Sequence, residues 1–195
     1  MDSYKQNGRS KLEQVQIREN GSFRLVVVSD THSAPHSRAL ELISGLQPDA
    51  ILHAGDVGDL KVLDDLAAIC PVHAVRGNID IRLPNLPDLL VLEIFSKEAL
   101  ILRILTLHVG LYGPRLRAEV TRRAREEDAN VVVCGHSHVP FIGNAHGITV
   151  FNPGSMGPRR MGLPITFGIL ELDGCNFRLR HIDCETGQLW KPPVR

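Results

Sequence analysis

The stretch Val131-Val132-Val133-Cys134-Gly135-His136-Ser137-His138 constrains the fold more than any other part of the chain. Three β-branched residues in a row read as a short strand buried on both faces, and Gly135 ends it sharply. Two histidines, one residue apart, then stand on the turn beyond that strand. Neutral imidazole offers a nitrogen lone pair near physiological pH, which makes histidine the commonest side-chain metal ligand. A His-x-His pair is also common on solvent-facing turns, so its meaning depends on what the other strand ends carry.

Those ends are supplied by a regular alternation. Phe23 to Val28 reads as a strand and stops at Ser29-Asp30-Thr31-His32-Ser33; Ala39 to Leu46 then reads as a helix. Asp49 to Ala54 is a second strand ending in Gly55-Asp56, Leu60 to Ile69 a second helix, and Val72 to Val75 a third strand ending in Arg76-Gly77-Asn78. Strand, helix, strand, helix, strand is the pattern of a parallel α/β sheet, in which ligands gather beyond the carboxyl ends of the strands. Further on, Leu89 to Phe95 and Leu100 to Leu107 form a predicted hairpin, and the second strand ends at His108-Val109-Gly110. Arg115 to Asp128 is expected as a charged helix leading into Val131. Phe141-Ile142 and Ile148 to Phe151 read as short strands, and Thr166 to Leu172 with Phe177 to Ile182 as a closing hairpin.

Together the strand ends present Asp30, His32, Asp56, Asn78, His108, His136 and His138. These are oxygen and nitrogen donors with no thiolate, a set suited to Mn, Fe, Zn, Co or Ni rather than to a structural cysteine-zinc site. Seven donors exceed one tetrahedral ion and suit two ions sharing a carboxylate.

Asp-x-His, Gly-Asp, Gly-Asn, His-x-Gly and Gly-His-x-His, in this order on strand ends, resemble the calcineurin-like metallophosphoesterase superfamily. The size and the Asn152-Pro153-Gly154-Ser155 turn are similar to its small single-domain bacterial and archaeal phosphodiesterase branch. The resemblance covers roughly Leu25 to Ile182. It implies a four-layer α-β-β-α sandwich of two facing mixed β-sheets flanked by helices. It also implies that Asp30, His32 and His138 hold one divalent metal ion, that Asn78, His108 and His136 hold a second, and that Asp56 bridges them. Manganese is the first expectation for both ions, with Ni, Zn, Fe or Co as alternatives. The implied activity is hydrolysis of a phosphate ester, a diester before a monoester, by in-line attack of a metal-bridging hydroxide, with Asn78 and His108 as catalytic residues. Asn78 and Arg160 are the expected substrate contacts.

One departure stands out. Strongly catalytic members of the superfamily carry a histidine directly after the Gly-Asn asparagine, placed to protonate the leaving oxygen; here that position is Ile79. His36 and His146 are the candidate substitutes, with solvent-facing loop positions as their simpler reading. The departure keeps a second function in view: a weakly catalytic or non-catalytic scaffold in a protein assembly, similar to the retromer metallophosphoesterase-fold subunit. The intact set of seven donors argues against it.

Other residues read more plainly. His53 and His73 lie inside strands and are expected as hydrogen-bonded core or sheet-face histidines, Cys134 as a small hydrophobe. Asp80 is read either as an acceptor orienting a metal-bound histidine or as an ordinary loop aspartate. The arginines of 115–125 interleave with glutamates, the pattern of a solvated helix face. A formal net charge of +0 provides no global field for nucleic acid or an anionic membrane, so no specific nucleic-acid partner is expected.

Four cysteines without Cys-x-x-Cys spacing read as free thiols, and no apolar run has the length of a membrane span. Together these point to a cytoplasmic protein acting on a small phosphate ester, and a homo-oligomer is compatible with the sequence. Residues 1–22 are expected as a flexible leader with at most a helical turn or two, 23–184 as the single domain, and 185–195 as a loose tail.

Overall fold

The computed structural model describes residues 9–160 and 162–192. In chain order its strands and helices are β1 (Ser10–Gln16), β2 (Ser22–Val28), α1 (Ala39–Gly45), β3 (Ala50–His53), α2 (Leu60–Ala67), β4 (Val72–Ala74), β5 (Leu89–Ser96), β6 (Ala99–Leu107), β7 (Leu111–Tyr112), β8 (Arg115–Leu116), α3 (Ala118–Glu126), β9 (Val131–Val133), β10 (Phe141–Ala145), β11 (Ile148–Asn152), β12 (Thr166–Asp173), β13 (Asn176–Asp183) and β14 (Leu189–Trp190). One 3-10 turn, Asp80–Arg82, follows β4.

The strands form two six-stranded sheets with orders β1-β5-β6-β9-β11-β10 and β14-β13-β12-β2-β3-β4, and β7 with β8 makes a small ribbon. Both sheets are mixed. In the second, β2 pairs parallel with β3 and β3 with β4, as the alternation requires, while β12 pairs antiparallel with β2.

Side-chain alternation explains the layering. Leu25 and Val27 of β2 pack with Leu92, Ile94, Ile104, Val131, Val133 and Phe151 in the core between the sheets. Their neighbours Val26 and Val28 point the other way, onto Ile43 of α1 and Leu66 of α2. In the first sheet Val132 and Leu105 do the same toward Val120 and Ala124 of α3. Stretches buried on both faces must be apolar at every position, which is why Leu25–Val28 of β2 and all of β9 read as unbroken valine-rich runs. The result is the expected four-layer α-β-β-α sandwich.

Three sequence expectations need correction. Ser10–Gln16, read as part of a loose leader, is a strand pairing parallel with β5 along the edge of the first sheet. Edge strands carry polar and charged residues to discourage further pairing, so Ser10-Lys11-Leu12-Glu13-Gln14-Val15-Gln16 shows no apolar run. The strand is anchored by Gln14 Nε2 donating to Glu93 Oε2 at 2.9 Å and by Glu13 contacting His73 of the other sheet. The first eight residues of the expected leader lie outside the described residues.

The tail, read as loose from Glu185, adds Leu189–Trp190 antiparallel to β13; 193–195 are outside the described residues. The charged helix begins at Ala118, three residues later than read, because Arg115–Leu116 pairs with β7 and Arg117 is extended.

Candidate metal centre

Five strands of two different sheets end at one place. Asp30 and His32 follow β2, Asp56 follows β3, Asn78 follows β4, His108 follows β6, and His136 and His138 follow β9. The parallel pairing of β2 and β3 continues past the strand ends: Asp30 N–H donates to Gly55 O at 2.9 Å, His32 N–H to Asp56 O at 3.0 Å and Ser33 N–H to Val57 O at 2.9 Å. The two sheets are tied across the gap by His136 N–H, 3.0 Å from Asp30 Oδ2. Gly135 N–H donates to His108 O at 2.9 Å.

Turning the chain this sharply is costly. Asp30, His32, Asp56, His136 and His138 all have positive φ, between 46° and 68°. Left-handed backbone at a non-glycine residue costs on the order of 1–3 kcal/mol and persists only where surrounding bonds over-determine it. The glycines beside these residues permit close approach. A Cβ at Gly77 would stand 2.2 Å from the Asp56 amide nitrogen, and one at Gly135 would stand 1.9 Å from Ser29 Oγ.

The donors fall into two groups whose ligand atoms lie within 4.8 Å of one another: Asp30, His32 and His138, and Asp30, Asp56 and His108. His138 Nε2 is 3.3 Å from Asp30 Oδ1 and 3.4 Å from His32 Nε2. Asp56 faces both sides, with Oδ1 3.3 Å from His108 Nε2 and Oδ2 3.7 Å from His32 Nε2. The rings also sort in pairs, His32 with His138 and His108 with His136, each with centroids 5.3 Å apart. Asn78 joins His108 and His136 in lining a cleft of about 580 Å³, together with Arg76, Ile81 and Val109.

The electrostatics fit divalent cations. Burial pushes the Asp30 and Asp56 carboxyls up, but neighbouring histidines overcome it: His138 and the His108 charge for Asp30, His108 for Asp56. Both end below the ordinary carboxylate range. His32 is lowered by burial first and then by the charge of Arg160; His136 is lowered by burial and then by His108. Ionised carboxylates and neutral imidazoles are the forms a metal requires.

His108 moves the other way: burial opposes its charged form, yet Asp56 and Asp30 raise it overall. A proton there neutralises two facing carboxylates, and a cation can do the same. Its Nδ1 lies 2.8 Å from Ala54 O, so Nδ1–H donates and Nε2 keeps the lone pair turned toward the carboxylates. That Nε2 is buried without a hydrogen-bond partner among the described residues, an orphaned polar atom that a metal ion would satisfy.

His53 is the hydrogen-bonded core histidine expected from the sequence, but what it and its neighbours hold was not legible there. His53 is buried; Gly55 N–H donates to its Nδ1 at 3.2 Å, so Nε2–H donates to Thr31 Oγ1 at 3.0 Å. Thr31 in turn donates to Val57 O at 2.9 Å. This closed relay fixes the Asp30–His32 turn on the Asp56 turn. Asn152 Nδ2 donates to Gly135 O at 2.8 Å and Ser155 Oγ to Asp30 O at 2.9 Å, which gives the Asn-Pro-Gly-Ser turn its place.

Asp80 needs correction on one of its two readings. No hydrogen bond from a histidine reaches it among the described residues; its carboxylate instead accepts the N–H groups of Val57, Gly58 and Gly77. His36 Nδ1 accepts the Arg38 N–H at 3.4 Å, and His146 lines a shallow groove on α3 rather than the cleft. Cys134 is buried, which pushes its thiol up to about 12.

Comparison with known proteins shows the family. Residues 23–174 match the model of the calcineurin-like phosphoesterase superfamily domain, and the chain belongs to that family. It is 36% identical over 141 residues to the probable metallophosphoesterase MJ0623 of Methanocaldococcus jannaschii, covering 69% of each chain. It is 29% identical over 171 residues to the phosphodiesterase YfcE of Escherichia coli K12, covering 77% of this chain and 89% of that one. Among solved structures, vacuolar protein sorting 29 of Cryptosporidium parvum superposes with a TM-score of 0.71 at 20% identity, covering 87% and 95% of the two chains. At that identity the likeness shows the fold alone.

Proposed function

We propose that the protein is a two-metal phosphodiesterase. The observation that carries this reading is the Asp56 carboxylate, which faces His108 with one oxygen and His32 with the other. In this reading Asp30, His32 and His138 hold one cation, Asn78, His108 and His136 hold the other, and Asp56 is shared. Two divalent ions, Mn before Ni, Zn, Fe or Co, supply the charge that draws in a phosphate group and acidifies water near neutral pH.

The chain's own residues orient that chemistry. His108 is held in one tautomer by Ala54 O. Asn78 offers a neutral carbonyl to the metal and an amide N–H to a phosphate oxygen. Arg160 lies near enough for its charge to lower His32, and is the proposed guanidinium contact for the phosphate. Ile79 has no proton to donate, so esters whose leaving group departs readily as an anion are the preferred substrates.

Assay of phosphodiesters and monoesters with Mn, Ni, Zn and Mg, before and after chelation, tests the proposal. Metal-dependent hydrolysis with diesters favoured is expected; inactivity with every metal in a fully loaded protein overturns it.

The scaffold reading has two observations in its favour, the apolar Ile79 and the fold shared with vacuolar protein sorting 29. Metal content after purification without chelator separates the two. A scaffold has no need of a full complement, whereas the proposed enzyme retains it.

A further inference from the structure

Asp80 is a buried carboxylate that contacts none of the seven proposed ligands through its side chain, yet it grips the two turns that carry Asp56 and Asn78. Its Oδ1 accepts the Gly58 N–H at 2.9 Å, and its Oδ2 accepts the Val57 N–H at 3.1 Å and the Gly77 N–H at 2.7 Å. Val57 and Gly58 directly follow Asp56, and Gly77 directly precedes Asn78. The turns it joins are already in contact, since a Cβ on Gly77 would collide with Asp56. Ile79 N–H, on the same turn as Asn78, donates to Asp56 Oδ1 at 3.2 Å.

We propose that Asp80 is a positioning residue that sets Asn78 against the shared Asp56 carboxylate, and so determines the affinity of the second ion without governing the first. This rests on the two-metal reading above. The selectivity follows from the wiring. The Asp30–His32 turn is held on the Asp56 turn by the three backbone bonds from Asp30, His32 and Ser33 and by the His53–Thr31 relay. Asp80 takes part in none of them.

On the other side, the Gly77–Asn78 turn meets the Asp56 turn through Asp80 and the single Ile79 bond. A carboxylate is the side chain this task needs, because three N–H donors converge on it and it offers only acceptors. Asparagine at the same place satisfies at most two of the three and turns an amide donor toward the remaining N–H. Alanine satisfies none.

The test is calorimetric titration of the metal-free, full-length protein with Mn²⁺, on wild type, Asp80→Asn, Asp80→Ala and Val62→Ala. Val62 is a buried residue of α2, and its truncation supplies a general loss of stability that removes none of the three Asp80 hydrogen bonds. Wild type is expected to bind two ions. In Asp80→Asn the second binding step weakens about 10- to 100-fold, the usual effect of losing a group that orients a ligand, while the first step is unchanged. Asp80→Ala weakens the second step further where it folds; Asp80→Asn alone decides the matter where it does not.

Val62→Ala lowers the melting temperature and leaves both steps in place. A second step in folded Asp80→Asn equal to that of wild type overturns the inference, and so does equal weakening of both steps. A wild type that binds a single ion overturns the two-metal reading and this inference with it, which keeps the two failures apart.

Discussion

Asp56 Oδ1 lies 3.3 Å from His108 Nε2, although β3 and β6, the strands that deliver these residues, belong to different sheets. The sandwich therefore does more than bury apolar surface: it brings His108 from one sheet and His32 from the other against one carboxylate. If Asp56 is shared between two ions, Asp56→Ala removes a ligand from both at once. Bound metal is expected to fall from two ions per chain toward one or none, with hydrolysis abolished. Elemental analysis beside a diester assay measures both, and near-wild-type metal and activity in that variant would remove the two-metal proposal.

Close approach of the ligand turns makes Gly77 far more sensitive than a surface glycine. A Cβ at Gly77 meets Asp56 backbone and carboxylate atoms at 2.2 Å, which no flexible side chain can yield to. Gly77→Ala is expected to cost roughly 1–3 kcal/mol, as overpacking does, and to weaken metal binding. Gly45, at the exposed end of α1, has nothing within 4 Å of its would-be Cβ. There Gly→Ala is expected to stabilise by about 0.4–1 kcal/mol through lost freedom of the unfolded chain. Urea unfolding of both variants reads the opposite signs.

His53 links the site to acid stability. Burial lowers its imidazole from 6.5 to about 4, so between those values the unfolded chain binds a proton that the native relay refuses. Stability is therefore lost as pH falls through 6.5 toward 4, by about 2 kcal/mol between pH 7 and pH 5 from this residue. Lowered Asp30 and Asp56 add to the acid sensitivity, so the informative quantity is a difference. In excess chelator, His53→Gln should unfold with a pH slope shallower than wild type by that amount. Equal slopes would show that His53 is protonated alike in both states.

How much of this was legible depends on what each residue does. The doubly buried stretches announce themselves because every position must be apolar, as in Val131–Val133 and Leu25–Val28. The Asp, Asn and His side chains at their ends stood out because few residue types can offer a metal ligand, and the strand ends do bring them together. β1 was missed because an edge strand is selected to be polar, and Glu13 and Gln14 answer to His73 and Glu93, distant in sequence.

What the clamping residues hold was not legible for a related reason. Asp80, His53 and Asn152 act through backbone N–H and C=O groups, and such partners are invisible in a one-dimensional pattern. Only the pairing of strand ends in space tells a positioning aspartate from a loop aspartate.

Ile79 gives the sharpest chemical prediction. It directly follows Asn78, its backbone N–H is held by Asp56 Oδ1 at 3.2 Å, and its side chain is 45% exposed. If position 79 faces the leaving group, an imidazole there supplies the proton that a leaving oxygen needs. An aryl ester departs as a stabilised anion without help, whereas an alkyl ester does not. Wild-type kcat/KM is therefore expected to depend steeply on leaving-group pKa. Ile79→His should flatten that dependence and help the poorest leaving groups most, by up to about 10²-fold for a well-placed acid. The gain will be smaller if no neighbouring group orients the new ring. A series of substituted aryl and alkyl diesters, assayed on both proteins at full metal loading, gives the two slopes. A steep slope unchanged in the variant would mean that position 79 does not face the leaving group. A shallow slope in wild type would mean that another acid already serves; His36, on the loop after His32, would then be the first residue to replace.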